Sequence, residues 1–210
     1  MTLELYTYDT PNGRKISVAL EEFGLPYEVK IVDLGKREQF EADFLAISPN
    51  GKIPAIIDPD GPDGQRITVF ESGAILLYLA EKTGRFLPAK LVERVAVYEW
   101  LMWQVGGFGP APGQVHHFLA QPEGPARDYG LKRFSSETNR LYRVLDERLA
   151  GREFVATVGG PSIADFAILG WAWRHERHEV LFADLPNVAA WYERMMARPA
   201  VQRGFAVALA

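Results

Sequence analysis

The chain has 210 residues, 48% hydrophobic and 24% charged, with a formal net charge of −4 and a pI near 5.6. This is ordinary globular composition with enough apolar material for a core, and no dense basic run points to nucleic acid or a membrane surface. Cysteine is absent, which excludes disulfides, protein thiolate nucleophiles and thiolate metal ligands, so any thiol chemistry needs a thiol carried in by a small molecule.

Residues 3–8, LELYTY, alternate as a short strand, and a turn is predicted over 9–13. Ile16, Ala19, Leu20 and Phe23 then recur at the spacing of one helix face, with Gly24 as C-cap and Pro26 blocking continuation. Residues 27–32 read as a second strand, so the chain opens β-α-β with a right-handed crossover expected. A short helix is predicted over 36–47, a strand over 53–57, a turn-rich loop over 58–65, a strand over 67–70 and an apolar helix over 74–82. Gly84 and Pro88 mark a boundary, after which no further strand is convincing. Helices are expected over 92–105, 126–150, 162–175 and 187–197, with the Gly- and Pro-rich stretch 106–113 interrupting the first. The predicted architecture is α/β followed by all-α, with domains at 1–86 and 90–210.

The longest apolar runs, such as 74–80, are too short to span a bilayer, and the opening MTLELYTYD lacks the basic and apolar regions of a signal peptide. The expected location is the cytoplasm.

Three segments carry chemistry. In Asn50-Gly51-Lys52-Ile53-Pro54 a proline stands at the start of a strand, where it cannot donate to the ladder. If the Ile53-Pro54 bond is cis, the Ile53 backbone faces outward and can pair with an extended peptide; an ordinary strand-starting proline is the alternative. Glu71 and Ser72 stand at the entry of the apolar helix, where free N–H groups and the dipole suit a carboxylate. Glu71 can pair with an ammonium and Ser72 can add its hydroxyl, so a ligand bearing both groups on one carbon fits, although plain capping accounts for the same residues. Thr10 and Asn12 lie between the first strand and helix. They are either turn and cap residues or donors to a thiolate, whose parent thiol, with a pKa near ~8.5, is otherwise mostly protonated.

These segments, in this order, resemble the N-terminal domain of the glutathione transferase superfamily. Asp33-Leu34-Gly35-Lys36, Gln39-Phe40, Ile47-Ser48-Pro49-Asn50, the run from Phe70 to Leu79, Trp103-Gln104-Val105-Gly106-Gly107 and Gly113-Gln114 with His116-His117-Phe118 are similar to its nu class. The resemblance implies a thioredoxin-like glutathione-binding domain followed by a helical domain, and a bacterial glutathione-dependent disulfide reductase related to the fungal nitrogen-regulator prion domain. It implies that Thr10 and Asn12 face the glutathione sulfur. Gln39 and Lys52 would hold the glycyl end, Ile53 with Pro54 the cysteinyl backbone, and Glu71 with Ser72 the γ-glutamyl end. Arg133 would reach across a homodimer to the neighbour's glutathione. Small disulfides or electrophiles are the implied partners, with transferase and peroxidase side activity. A non-catalytic glutathione-binding regulatory or scaffold module is the alternative, and the fold alone does not exclude dehalogenase or isomerase chemistry.

Other residues have simpler readings. Tyr6 is expected to pack, with Tyr8 a secondary candidate beside the sulfur. Ser162 and Asp165 form a capping box, with Pro161 where the family carries an aromatic. Trp103 and Phe108 are candidates for lining an apolar acceptor cleft. His175, His178 and Glu179 hint at a metal, but the spacing is one residue short of the zincin pattern and no metal is expected.

Overall fold

β1 (Leu3–Thr7) buries Leu3, Leu5 and Thr7 and turns Glu4 and Tyr6 to the other, half-covered face, the two-residue period of a strand. It pairs in parallel with β2 (Tyr27–Ile31) and antiparallel with β3 (Ala55–Asp58), which pairs antiparallel with β4 (Ile67–Phe70). The order β2-β1-β3-β4 leaves β3 central and buried along its whole length. The computed structural model of the chain describes residues 2–208.

α1 (Pro11–Phe23) and α3 (Ser72–Thr83) pack together, and each also meets the sheet. The predicted helix over 36–47 is a 3₁₀ turn at Glu38–Phe40 and the single-turn α2 (Ala42–Leu45). Phe44 and Ile47 from this segment pack with Val32, Ala55, Tyr6 and Ile53 in a small separate core. α1 starts inside the predicted turn because Pro11 sits at its first position, where the missing N–H costs nothing. Gly13 is required there: a Cβ on it would lie 2.2 Å from the Tyr8 carbonyl oxygen and 2.5 Å from Thr7 Oγ1.

The helices that follow are α4 (Leu91–Trp103), α5 (Pro110–Leu119), α6 (Pro125–Leu149), α7 (Ile163–Ala172) and α8 (Pro186–Met196). The expected interruption at 106–113 takes the form of a π-helical turn, Gln104–Phe108, leading into α5 with Pro110 at its start. α7 opens with the anticipated capping box: Asp165 Oδ2 accepts from the Ser162 N–H at 2.8 Å and from Ser162 Oγ at 2.9 Å.

The chain divides into two compact units, Met1–Ala89 with Met196–Ala210, and Lys90–Met195. This differs from the expected 90–210 domain, because α9 (Pro199–Ala206), which the sequence patterns did not signal, packs on α1. Gly204 permits the approach, since a Cβ there would lie 2.5 Å from Val18 Cα. Ser17 Oγ donates to the Gly204 carbonyl at 2.8 Å. Arg14 Nη1 donates to the Phe205 and Val207 carbonyls at 2.9 and 2.8 Å, satisfying acceptors that a helix end leaves open. Glu22 and Arg198 add a two-pronged pair at 2.5 and 2.7 Å. Among the described residues no helix is long and apolar enough to cross a membrane.

Candidate functional site

Thr10 is the N-cap of α1, and its Oγ1 accepts from the Gly13 N–H at 3.0 Å. That bond uses the oxygen as acceptor and leaves the hydroxyl proton available to another acceptor at the positive end of the helix. Asn12 occupies the second helical position and is half-buried. Arg14 fixes this corner from below. Its Nε donates to Asp9 Oδ1 at 2.8 Å and its Nη2 lies 2.8 Å from the same oxygen, while Nη1 holds α9.

The Ile53-Pro54 bond is cis. Pro54 is buried, Ile53 is half-buried and packed against the small core, and the ladder of β3 starts only at Ala55. Lys52 is exposed, and its carbonyl accepts from Ser48 Oγ at 2.8 Å. Gln39 lies in the 3₁₀ turn, with its Oε1 buried and without a hydrogen-bond partner.

Glu71 precedes α3 at φ 69°, ψ 121°, a conformation outside the ordinary regions for an L-residue. Strain of this kind costs about 1–3 kcal/mol and gathers at ligand sites. The carboxylate is exposed, with Asn50 Nδ2 3.5 Å from its Oε1. It makes no capping bond to its own helix, so the first N–H groups of α3 are not satisfied by their cap. Ser72, the first helical residue, is buried.

A residue the motif reading missed completes the floor. Lys15 on α1 is 2% exposed, and its Nζ donates to Ser72 Oγ at 3.2 Å. Burial pushes its ammonium down to about 7, against the upward pull of Glu71. The available signal was a lysine inside the buried run Gly13–Leu20, but its meaning depends on α3 bringing Ser72 to it.

α1, which Thr10 caps and in whose first turn Asn12 lies, thus packs on α3, which the Glu71-Ser72 pair opens, and Lys15 ties the two helices at Ser72. Tyr6 packs against Phe44 and its hydroxyl donates to Glu4 Oε2 at 2.7 Å. Burial and that carboxylate hold its pKa up at about 12, so it remains a neutral packing residue.

In the helical unit, Arg133 is exposed on α6 and lines a groove of about 510 Å³ with Gly106, Gly107, Gln114 and Glu137. Trp103 is half-buried. Phe108 is fully buried, stacked on Trp103 at 5.0 Å and edge-on to Tyr142 at 4.8 Å. Its expected place in an acceptor cleft is therefore corrected: the π-helical turn directs this ring into the helical core. His175 and His178 also part company. His175 stacks on Phe182 at 3.7 Å, and His178 stacks on His116 at 4.7 Å. Among the described residues no group of three or more metal-ligating side chains converges.

A family model described as glutathione S-transferase, N-terminal domain, matches residues 10–82, and one described as glutathione S-transferase, C-terminal domain, matches residues 122–199. Over 202 residues the chain is 49% identical to the disulfide-bond oxidoreductase YfcG of Escherichia coli (strain K12), an alignment covering 94% of this chain and 92% of the relative. It is also similar to the crystal structure of a glutathione transferase from Pseudomonas putida with one glutathione disulfide bound per subunit. That match has a TM-score of 0.89 and 42% identity over 98% of this chain and 91% of the other. A glutathione transferase from Burkholderia graminis with two glutathione molecules bound per subunit matches with a TM-score of 0.88 and 42% identity, over 97% and 87% of the two chains.

Proposed function

The chain belongs to the glutathione S-transferase family, and from that premise we propose that it binds glutathione in its first unit and reduces small disulfides with it. The observation that carries this reading is the meeting of two helix N-termini: α1 with its Thr10 hydroxyl and Asn12 amide, and α3 with the Glu71-Ser72 pair. Glutathione is a tripeptide with a thiol near its middle and an ammonium and carboxylate on one carbon at its γ-glutamyl end. Glu71 takes the ammonium, while Ser72 and the α3 N–H groups take the carboxylate. Ile53 pairs with the cysteinyl backbone. Gln39 and Lys52 hold the glycyl end, where the unpartnered Gln39 Oε1 gains a hydrogen bond.

The sulfur then lies at the start of α1. A donor from Thr10, the amide of Asn12 and the positive helix end all favour the thiolate over the thiol, the reactive form. The thiolate attacks one sulfur of the acceptor disulfide. A glutathione–acceptor mixed disulfide forms and the other half leaves as a thiolate that takes up a proton. A second glutathione thiolate attacks the glutathione sulfur of the mixed disulfide, giving glutathione disulfide and releasing the second acceptor thiol. Two glutathiones lose two electrons and one disulfide gains them. With no cysteine in the chain, the protein never becomes a covalent intermediate, and its contribution is position and electrostatics. Relatives holding one glutathione disulfide or two glutathiones per subunit support this stoichiometry. Conjugation to electrophiles and peroxide reduction use the same thiolate as side reactions.

The functional assembly is a homodimer in the cytoplasm. The support for the dimer is an exposed apolar face on α4, formed by Leu91, Val92, Val95 and Met102. Arg133 is the residue assigned to reach the partner's glutathione.

Glutathione with 2-hydroxyethyl disulfide, run beside conjugation to chlorodinitrobenzene, tests the reading. Faster disulfide reduction is expected. Inactivity in both assays with intact glutathione binding would instead make the chain a binding module.

A further inference from the structure

The hydrogen-bond direction under α3 is fixed by chemistry. An ammonium carries three donors and no acceptor, so in the 3.2 Å contact between Lys15 Nζ and Ser72 Oγ the hydroxyl oxygen accepts. Ser72 has one proton to give, and a Lys15 that holds its own protons does not receive it; against the effect of burial, the nearby Glu71 carboxylate pulls that ammonium's pKa upward. That proton is therefore available to an acceptor above the helix end, where the Glu71 cap leaves the first N–H groups of α3 unsatisfied.

The charges point the same way. Lys15 is 2% exposed, so its charge acts through a poorly solvated medium. The pull of Glu71 on it comes from a carboxylate that is itself exposed and, in the reading above, engaged by the ligand ammonium. A ligand carboxylate at the start of α3 gives alternating charges: Lys15 below, the carboxylate above, the ligand ammonium beside it and Glu71 at the edge.

We propose that Lys15 is a positioning residue for the α-carboxylate of the γ-glutamyl group, orienting Ser72 Oγ as a donor and placing a buried positive charge beneath the anion. This rests on the glutathione-binding reading and deepens it. Recognition of the tripeptide's amino-acid end is shared between two helices, α1 contributing the cation and α3 the donors. Lys15 lies on the same helix as Thr10 and Asn12, so the residues assigned to the sulfur and to the carboxylate stand on one element.

The test compares two ligands on the full chain by titration calorimetry. One is glutathione. The other is the analogue in which 4-aminobutyrate replaces the γ-glutamyl residue, so that only the α-carboxylate with its ammonium carbon is simplified: the ammonium remains and the carboxylate is gone. Lys15→Met keeps an unbranched apolar stem one atom shorter and removes the charge. It is expected to weaken glutathione by about 30-fold or more, the scale for truncating one partner of a buried charge pair. For the analogue a change below about 3-fold is expected, because no carboxylate is there to lose its partner. In the disulfide assay KM for glutathione should rise with kcat at saturation held, since the contact is the same in ground and transition states. Ser72→Ala should show the same ligand dependence, and the double variant should lose less than the two single losses multiplied, because both act on one anion. Equal losses for the two ligands would mean that Lys15 only supports the fold, and no loss for glutathione would likewise overturn the proposal. If Lys15→Met does not fold, Ser72→Ala with the same two ligands decides. Wild-type chain that fails to bind glutathione would defeat the underlying function, an outcome separate from wild-type binding with an indifferent Lys15→Met.

Discussion

Both units bury an ionisable side chain beside the N-terminus of a helix. In the helical unit Asp165 is fully buried, and protein donors surround its carboxylate. The Val155 and Ser162 N–H groups, Ser162 Oγ and Trp191 Nε1 all lie within 3.0 Å of its oxygens. In the first unit Lys15 is buried almost as deeply but reaches the serine that opens α3, a helix whose own cap makes no side-chain bond. α7 is closed by its own residues, whereas α3 is left with donors to offer. Burial alone therefore does not tell a folding residue from a binding one. What separates them is whether the neighbouring helix end is already satisfied from within.

The largest effect that would sharpen this contrast is Asp165→Ala. It strands four buried donors together, with an expected loss of about 3–5 kcal/mol in denaturant unfolding and unchanged glutathione affinity in the protein that remains folded. A matching fall in affinity would erase the distinction between the two sites.

Thr10 combines both roles, as a cap for α1 and a donor to the sulfur. Thr10→Ala is expected to lower kcat by about 100-fold, the scale of a lost anion-stabilising donor, and to cost about 1 kcal/mol of stability as a lost cap. Thr10→Ser keeps the hydroxyl and should restore both. Full turnover in the alanine variant would remove Thr10 from the chemistry.

Acid probes the helical unit separately. Burial, with the charges of Arg174 and Arg177, pushes His116 down to about 4. Burial, with His116, His175 and the same arginines, pushes His178 down to about 3. Both histidines ordinarily titrate near 6.5. Below that pH the unfolded chain binds protons that the folded chain refuses, so stability falls as pH drops from about 6.5, with a slope approaching about 1.4 kcal/mol per pH unit for each histidine. Denaturant midpoints between pH 6.5 and 5 should show this, and His178→Phe should remove about half of the slope. A flat profile would mean that the imidazoles are not excluded from protonation.

The smallest expected effect is at the surface of the α1–α9 contact. Arg203 pairs with Glu21 at 2.7 Å but is 59% exposed, so Arg203→Ala should cost no more than about 0.5 kcal/mol in the same unfolding measurement. A loss of several times that size would show that α9 is held by its exposed charges rather than by Arg14 and Ser17.

What the sequence by itself determined lies where the rules are local. Periodicity and punctuation located four strands and the main helices to within a few residues, because a two- or 3.6-residue repeat needs no distant partner. Thr10-Pro11-Asn12-Gly13, the Ile53-Pro54 dipeptide, Glu71-Ser72 and the Ser162/Asp165 box were legible for the same reason. The tertiary structure alone decided what depends on residues far apart in the chain. α9 returns to α1 through contacts nearly 190 residues distant in sequence, and α3, 57 residues on, meets Lys15 with Ser72 where a helix-face lysine would otherwise be expected. Phe108, in the π-helical turn, is buried against Tyr142 in the core, a placement that no local pattern encodes. Local signals state what a segment can form. Which face of it is buried, and therefore which polar atoms remain for a ligand, is settled only when the other segments have packed against it.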